Sequence, residues 1–67
     1  MHAESRIGAT LAALREYAGL SRRELADLTG TPLATVEAIE RGSVEPTLAL
    51  VERLAVAIAH HLGDGGA

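Results

Sequence analysis

The sequence is short of several residue types. Its 67 residues include no cysteine, no tryptophan and no phenylalanine, and a single tyrosine. Without cysteine the chain cannot form a disulfide, a thiolate zinc site or a cysteine nucleophile. No apolar run approaches the ~20 residues that a membrane-spanning helix needs, and no signal peptide opens the chain. We therefore expect a cytoplasmic protein with no membrane partner.

Lysine is also missing, so all six basic residues are arginine, against nine acidic residues and a net charge of −3. Proteins that bind polyanions usually carry a basic surplus, because neutralising phosphates and releasing counterions supplies much of their affinity. Any basic surface on this chain must therefore be local. The length leaves room for one small domain, and the 48% hydrophobic content is ordinary for a globular chain.

The spacing of apolar residues predicts an all-α fold with four helices and short connections. The first helix is predicted from about Ser5 to Ala18, with Leu11 and Leu14 among its core residues. The second is predicted at about 22–28, with Leu28 facing inward, and the third at about 32–40. The last helix should run from Thr47 to His61 or Leu62. This divides the chain into a domain over 1–62 and a flexible tail over 63–67.

Residues at the predicted helix ends support these boundaries. Ser21-Arg22-Arg23-Glu24 has the pattern of a capping box, in which serine and glutamate each bond the other's backbone N–H. Gly30 interrupts the second helix, and Thr31-Pro32 is typical of a cap followed by proline in the first turn. Gly42 follows the third helix as a left-handed stop. Two helices joined by such a tight turn form a helix-turn-helix unit.

The combination of motifs resembles the Cro/CI (XRE) family of helix-turn-helix regulators from residue 6 to about residue 59. The motifs are Leu14-Arg15-Glu16, Gly19-Leu20-Ser21, Glu24-Leu25-Ala26, Gly30, Val36, Ile39-Glu40-Arg41-Gly42, Pro46-Thr47-Leu48 and Leu54-Ala55. The resemblance implies a compact bundle of four or five helices of the lambda-repressor-like type. It also implies an ion pair between Arg15 and Glu40 that joins the first and third helices.

The resemblance further implies contacts to double-stranded DNA. Phosphate contacts would come from Arg22 and Arg23 at the start of the second helix, and from Arg41 and the Ser43 backbone after the third. The residues expected to face bases are Thr31, Pro32, Leu33, Ala34, Thr35 and Ala38. None of them is Arg, Lys, Asn or Gln, the residues that pair with base edges through two hydrogen bonds. Sequence preference would then rest on apolar contacts, DNA shape and half-site spacing.

The last helix carries more apolar residues than one core face can use, which predicts burial against a partner. We expect a homodimer through this helix, with Leu50, Leu54, Ala57 and His61 at the interface; a monomer is the competing interpretation. The predicted function is a sequence-specific, dimeric DNA-binding repressor, associated with the nucleoid within the cytoplasm. The alternative is a protein-interaction module on the same fold, which the net negative charge and the apolar third helix favour.

We expect no enzyme activity, cofactor, metal or small-molecule ligand. Adjacent histidines, His60 and His61, point to different faces of a helix, and no nearby carboxylate completes a metal site. Ser21 and Ser43 have no partners for nucleophilic catalysis. No glycine-rich loop of the nucleotide-binding kind is present.

Overall fold

The computed structural model describes residues 6–66, which form four α-helices and no strand. They are α1 (Ile7–Tyr17), α2 (Arg22–Thr29), α3 (Leu33–Arg41) and α4 (Leu48–Gly66). The predicted all-α fold with four helices is therefore confirmed, and the first three helices lie within two residues of their predicted ends. Residues 1–5 of the predicted domain and Ala67 of the predicted tail lie outside the described residues.

The capping box at the start of α2 is present. The Ser21 hydroxyl accepts from the Glu24 backbone N–H at 3.0 Å, and the Glu24 carboxylate accepts from the Ser21 backbone N–H at 2.7 Å. The bond donated by the Ser21 backbone, followed by the one from its side chain, lowers the pKa of Glu24. At the other ends of α2 and α3, Gly30 and Gly42 adopt the left-handed φ of 66° and 81° that favours glycine.

The start of α3 differs from the prediction. Pro32, and not Thr31, occupies the N-cap position, and no side chain caps the helix. Thr31 is instead buried, with 8% of its surface exposed. The Thr29 hydroxyl oxygen lies 2.8 Å from both the Leu25 carbonyl oxygen and the Thr31 hydroxyl oxygen. Thr31 therefore fills the inside of the turn, where its hydroxyl is satisfied by a neighbour on α2.

All four helices contribute to one hydrophobic core. Its fully buried members are Leu11, Leu20, Leu25, Ala26, Val36, Ile39, Leu54 and Ile58. Two residues that the periodicity places in the core lie outside it, since Leu14 is 41% exposed and Leu28 is 58% exposed. Arg15 takes the inward position beside Leu14 because it pairs with α3, and α2 packs through Leu25 and Ala26, which leaves Leu28 on its outer flank.

Helices α1 and α3 approach each other closely at Gly8. Gly8 is buried, and a Cβ added there would overlap the carbonyl oxygen of Ile39 and lie 3.0 Å from its carbonyl carbon. Only glycine lets the α1 backbone come this near to the α3 backbone. This contact fixes the position of α3 against the first helix.

Helix α4 continues to Gly66, past its predicted end at His61 or Leu62. Gly63, placed in the tail by sequence, is part of the helix. A glycine inside a helix costs only about 1 kcal/mol relative to alanine, which does not end a helix when neither a left-handed turn nor a proline follows. Within residues 6–66, no helix combines the length and the apolar character needed to cross a membrane.

Candidate nucleic-acid interface

The α2–turn–α3 unit presents the first half of α3 at the molecular surface. Pro32 and Ala34 are exposed, whereas Val36 and Ile39 turn inward and hold the helix on the core. Two more of the predicted base-facing residues, Thr35 and Ala38, are half-buried. The accessible surface of α3 is therefore small, narrow and mostly apolar.

Two of the predicted base-facing residues belong more to the interior. Thr31 is buried in the turn, so the prediction that its side chain faces bases is wrong for this conformation. Leu33 is half-buried and packs against the hydrophobic core. The sequence pattern could not separate these two from Pro32 and Ala34, because all four lie in the same short stretch around the start of the helix.

Glu40 of α3 and Arg15 of α1, the predicted ion pair, are in contact through two hydrogen bonds. Arg15 Nε donates to Glu40 Oε2 at 2.7 Å, and Arg15 Nη2 donates to Glu40 Oε1 at 3.1 Å. Arg15 Nη1 also donates to the Leu20 carbonyl oxygen at 2.7 Å. The side chains of Arg15 and Glu40 are only 7% and 5% exposed. A buried, two-bonded pair of this kind joins α1 to α3 and leaves neither charge uncompensated.

A third charged residue joins this pair, which the sequence did not predict. Arg22, the first residue of α2, donates from Nε to Glu40 Oε1 at 2.8 Å, while its side chain remains 52% exposed. The Glu40 carboxylate thus receives hydrogen bonds from α1 and α2 while it belongs to α3. Arg22 and Glu40 are 18 positions apart, and no pattern in the sequence links them.

The environment of these residues shifts their pKa values in consistent directions. Burial on its own would raise the pKa of Glu40, but the hydrogen bonds and charges of Arg15 and Arg22 outweigh it, so that pKa lies below its ordinary value. The hydrogen bond to Glu40 and its charge raise the pKa of Arg22, and Glu37 and Glu16 add smaller charge effects. Glu40 is therefore ionised and Arg22 charged at neutral pH.

The other predicted phosphate ligands are at the surface. Arg23 and Arg41 are exposed, and neither has an ion-pair partner among the described residues. Ser43 is exposed too, but its backbone N–H donates to the Ala38 carbonyl at 2.9 Å and closes the end of α3. The prediction for the Ser43 backbone is therefore wrong, since this N–H is already used; the hydroxyl remains at the surface.

The predicted dimer residues do not form an exposed surface. Leu54 is 1% exposed and lies in the core, so its assignment to an interface is wrong. Leu50 and Ala57 pack against the same core, and His61 is half-buried. The periodicity of α4 is compatible with several faces, and the helix has turned this one inward to close the core.

The exposed apolar residues of α4 are Leu48, Val56 and Leu62. Val56 faces Leu28 of α2 across an open groove of about 410 Å³, whose rim includes Arg53 and His60. In the part of the chain that the structure describes, no three His, Asp or Glu side chains come together as a metal site would require.

The geometry agrees with the comparison to known families. A family model described as a helix-turn-helix domain matches residues 6–61, which include α1, α2, α3 and most of α4. The chain matches no curated protein and no solved structure. In helix-turn-helix proteins that bind DNA, the second helix of the unit, which corresponds to α3, lies in the major groove.

Proposed function

Because the chain belongs to the helix-turn-helix domain family, we propose that it is a sequence-specific, DNA-binding transcriptional regulator that acts as a dimeric repressor with α3 in the major groove. The observation that carries the proposal is the placement of the arginines. Arg22, Arg23 and Arg41 border α3 at the start of α2 and the end of α3, on a chain whose net charge is −3. Clustered cations on an acidic chain create a local surface for phosphates.

The proposed contacts divide into two groups. Arg22, Arg23, Arg41 and the Ser43 hydroxyl bind phosphates, which fixes the position of the domain on the duplex but carries no sequence information. Pro32 and Ala34 face the bases, with Thr35 and Ala38 at the edge of this surface. Small apolar side chains contact thymine methyl groups, so base readout is limited and DNA shape supplies the remaining preference.

Dimerisation is proposed through the exposed apolar face of α4, in place of the buried residues predicted from sequence. Leu48, Val56 and Leu62 are exposed along this helix, and Leu28 of α2 lies beside Val56. With few phosphate contacts in each chain, two linked copies bind DNA far more tightly than one. Two α3 helices placed about 34–36 Å apart would enter successive major grooves.

The DNA-binding proposal is tested by selecting bound duplexes from a random library and measuring their affinity at several salt concentrations. Arg23→Ala should weaken binding and reduce the salt slope by about 0.9 for the lost phosphate contact. Arg53→Ala is the matched control, because Arg53 is an exposed arginine on α4, outside the α2–α3 unit. Absence of any bound duplex at low salt would overturn the proposal.

Dimerisation is tested by equilibrium sedimentation at micromolar concentration. Val56→Glu should shift the protein toward monomer, because it places a charge in the apolar contact. Val44→Glu is the control, since Val44 is also an exposed valine but lies in the α3–α4 connection. A wild-type protein that is monomeric throughout would contradict the dimer.

A protein-interaction module is the second candidate function. The specific observation in its favour is that the exposed residues of α3, Pro32 and Ala34, offer no side-chain donor to a base edge. In that case the wild-type chain would shift no duplex at low salt, and Ala34→Glu would abolish binding to a protein partner.

A further inference from the structure

We infer that Glu40 is a positioning residue for DNA binding, which holds Arg22 through Nε so that the two terminal amino groups of that arginine are presented to one backbone phosphate. This inference rests on the proposed function. It goes beyond it by assigning to a buried carboxylate of α3 a part in a contact made at the start of α2.

The first support is the fixed position of the carboxylate. Arg15 bonds both Glu40 oxygens, and Arg15 is itself held by the Leu20 carbonyl. Glu40 therefore cannot rotate to follow Arg22 without breaking bonds that are almost fully buried. The acceptor that receives Arg22 Nε is thus a rigid part of the fold.

The second support is the way Arg22 uses its donors. Only Nε is engaged with Glu40, and about half of the side chain is exposed. Within residues 6–66 no acceptor bonds its Nη1 or Nη2 atoms. A guanidinium held by one edge presents its remaining N–H groups in a fixed plane, which matches the oxygens of a phosphate.

The third support is charge. Arg15 already compensates Glu40 inside the protein, so Arg22 keeps a positive charge for an external anion. Orientation also lowers the entropy lost on binding, because a long side chain that is held in place has less rotamer freedom to lose. Arg23, the next residue, is exposed and lacks such a partner among the described residues, which makes it an internal control.

The first experiment compares lysine substitutions in binding to a random-sequence duplex over a range of salt. Lysine keeps the charge but has no Nε edge to receive this orientation. Arg22→Lys should weaken binding about tenfold at every salt concentration with an unchanged salt slope, whereas Arg23→Lys should change it less than about twofold. Arg22→Ala should weaken binding and also reduce the slope by about 0.9.

A double-mutant cycle connects the effect to Glu40. Glu40→Gln should weaken binding in the wild-type background but add nothing when Arg22 is already alanine. An equal loss in both backgrounds would show that Glu40 acts through Arg15 and the fold, and would overturn the inference. If Glu40→Gln does not fold, the lysine pair decides the question, because Arg22→Lys leaves the Arg15–Glu40 bonds intact.

The second experiment needs no DNA. In the free protein the Arg22 Nε–H proton should exchange slowly with water in NMR spectra, while that of Arg23 should exchange rapidly. Equal exchange rates would overturn the positioning of Arg22 whatever the binding data show. Wild-type protein that binds no duplex would overturn the proposed function and the phosphate role together, whereas binding with equal effects of the two lysine substitutions would overturn the positioning alone.

Discussion

The contact at Gly8 gives the sharpest test of the fold. Replacing Gly8 with alanine adds one methyl group at the point where α1 meets the α3 backbone, and that methyl group would overlap the Ile39 carbonyl oxygen. A backbone carbonyl in a helix cannot rotate aside, so α1 and α3 have to move apart. Gly63 is also a helical glycine, but a Cβ added there has no neighbour within 4 Å. Gly63→Ala is therefore the matched control.

The two substitutions should change stability in opposite directions. Alanine is about 1 kcal/mol more favourable than glycine inside a helix, which is the gain expected at Gly63. At Gly8 the same gain is opposed by overpacking, which costs about 3 kcal/mol where the obstacle is backbone. The net loss of about 2 kcal/mol corresponds to a Tm lower by about 8–16 °C. A domain of this size has roughly 3–10 kcal/mol of stability, so the variant should still fold.

Thermal unfolding followed by circular dichroism measures both effects in one experiment. Gly8→Ala should melt below the wild type and Gly63→Ala above it, by up to about 4–8 °C for the latter. If Gly8→Ala melted at or above the wild-type temperature, the α1–α3 contact would not be as close as described, and the reasoning would fail.

Three further outcomes are expected. Arg15→Ala should lower the free energy of unfolding by about 3–5 kcal/mol, because it leaves the Glu40 charge buried with only one partner, whereas exposed Arg53→Ala should leave it nearly unchanged in urea titrations. Ser21→Ala should cost about 1 kcal/mol through loss of the cap, and Ser43→Ala much less; equal losses would contradict the capping role. The pKa of Glu40 is lowered in the folded state, so the folded chain binds fewer protons than the unfolded chain, and stability should fall as the pH drops through its ordinary value of 4.5. Glu40→Gln should flatten that dependence in unfolding measured at several pH values.

Much of the fold follows from residues that are close in the chain. The capping box of Ser21 and Glu24 and the glycine stops at Gly30 and Gly42 lie next to the helices that they end, so their residue types predict those ends. The end of α4 lacks such a signal, and the predicted stop before Gly63 was wrong. Local chemistry predicts helix ends well only where a residue is built for that position.

The site depends more on contacts between helices, which sequence spacing does not specify. The exposure of Leu14 and the burial of Arg15 follow from the angle at which α1 meets α3. The bond between Arg22 and Glu40 needs two helices to pack together before it can form. Leu54 belongs to an apolar stripe that could face a partner or the core, and only packing decides between them.

The three hydrogen-bonded partners of Glu40 have a consequence for how a duplex could be accommodated. One carboxylate of α3 is tied to α1 and α2, and Gly8 leaves no gap between α1 and α3. Helix α3 therefore has little freedom to tilt or slide within the domain. When it enters a groove, the bending and widening have to come from the nucleic acid, and sequences that deform easily would be preferred for that reason.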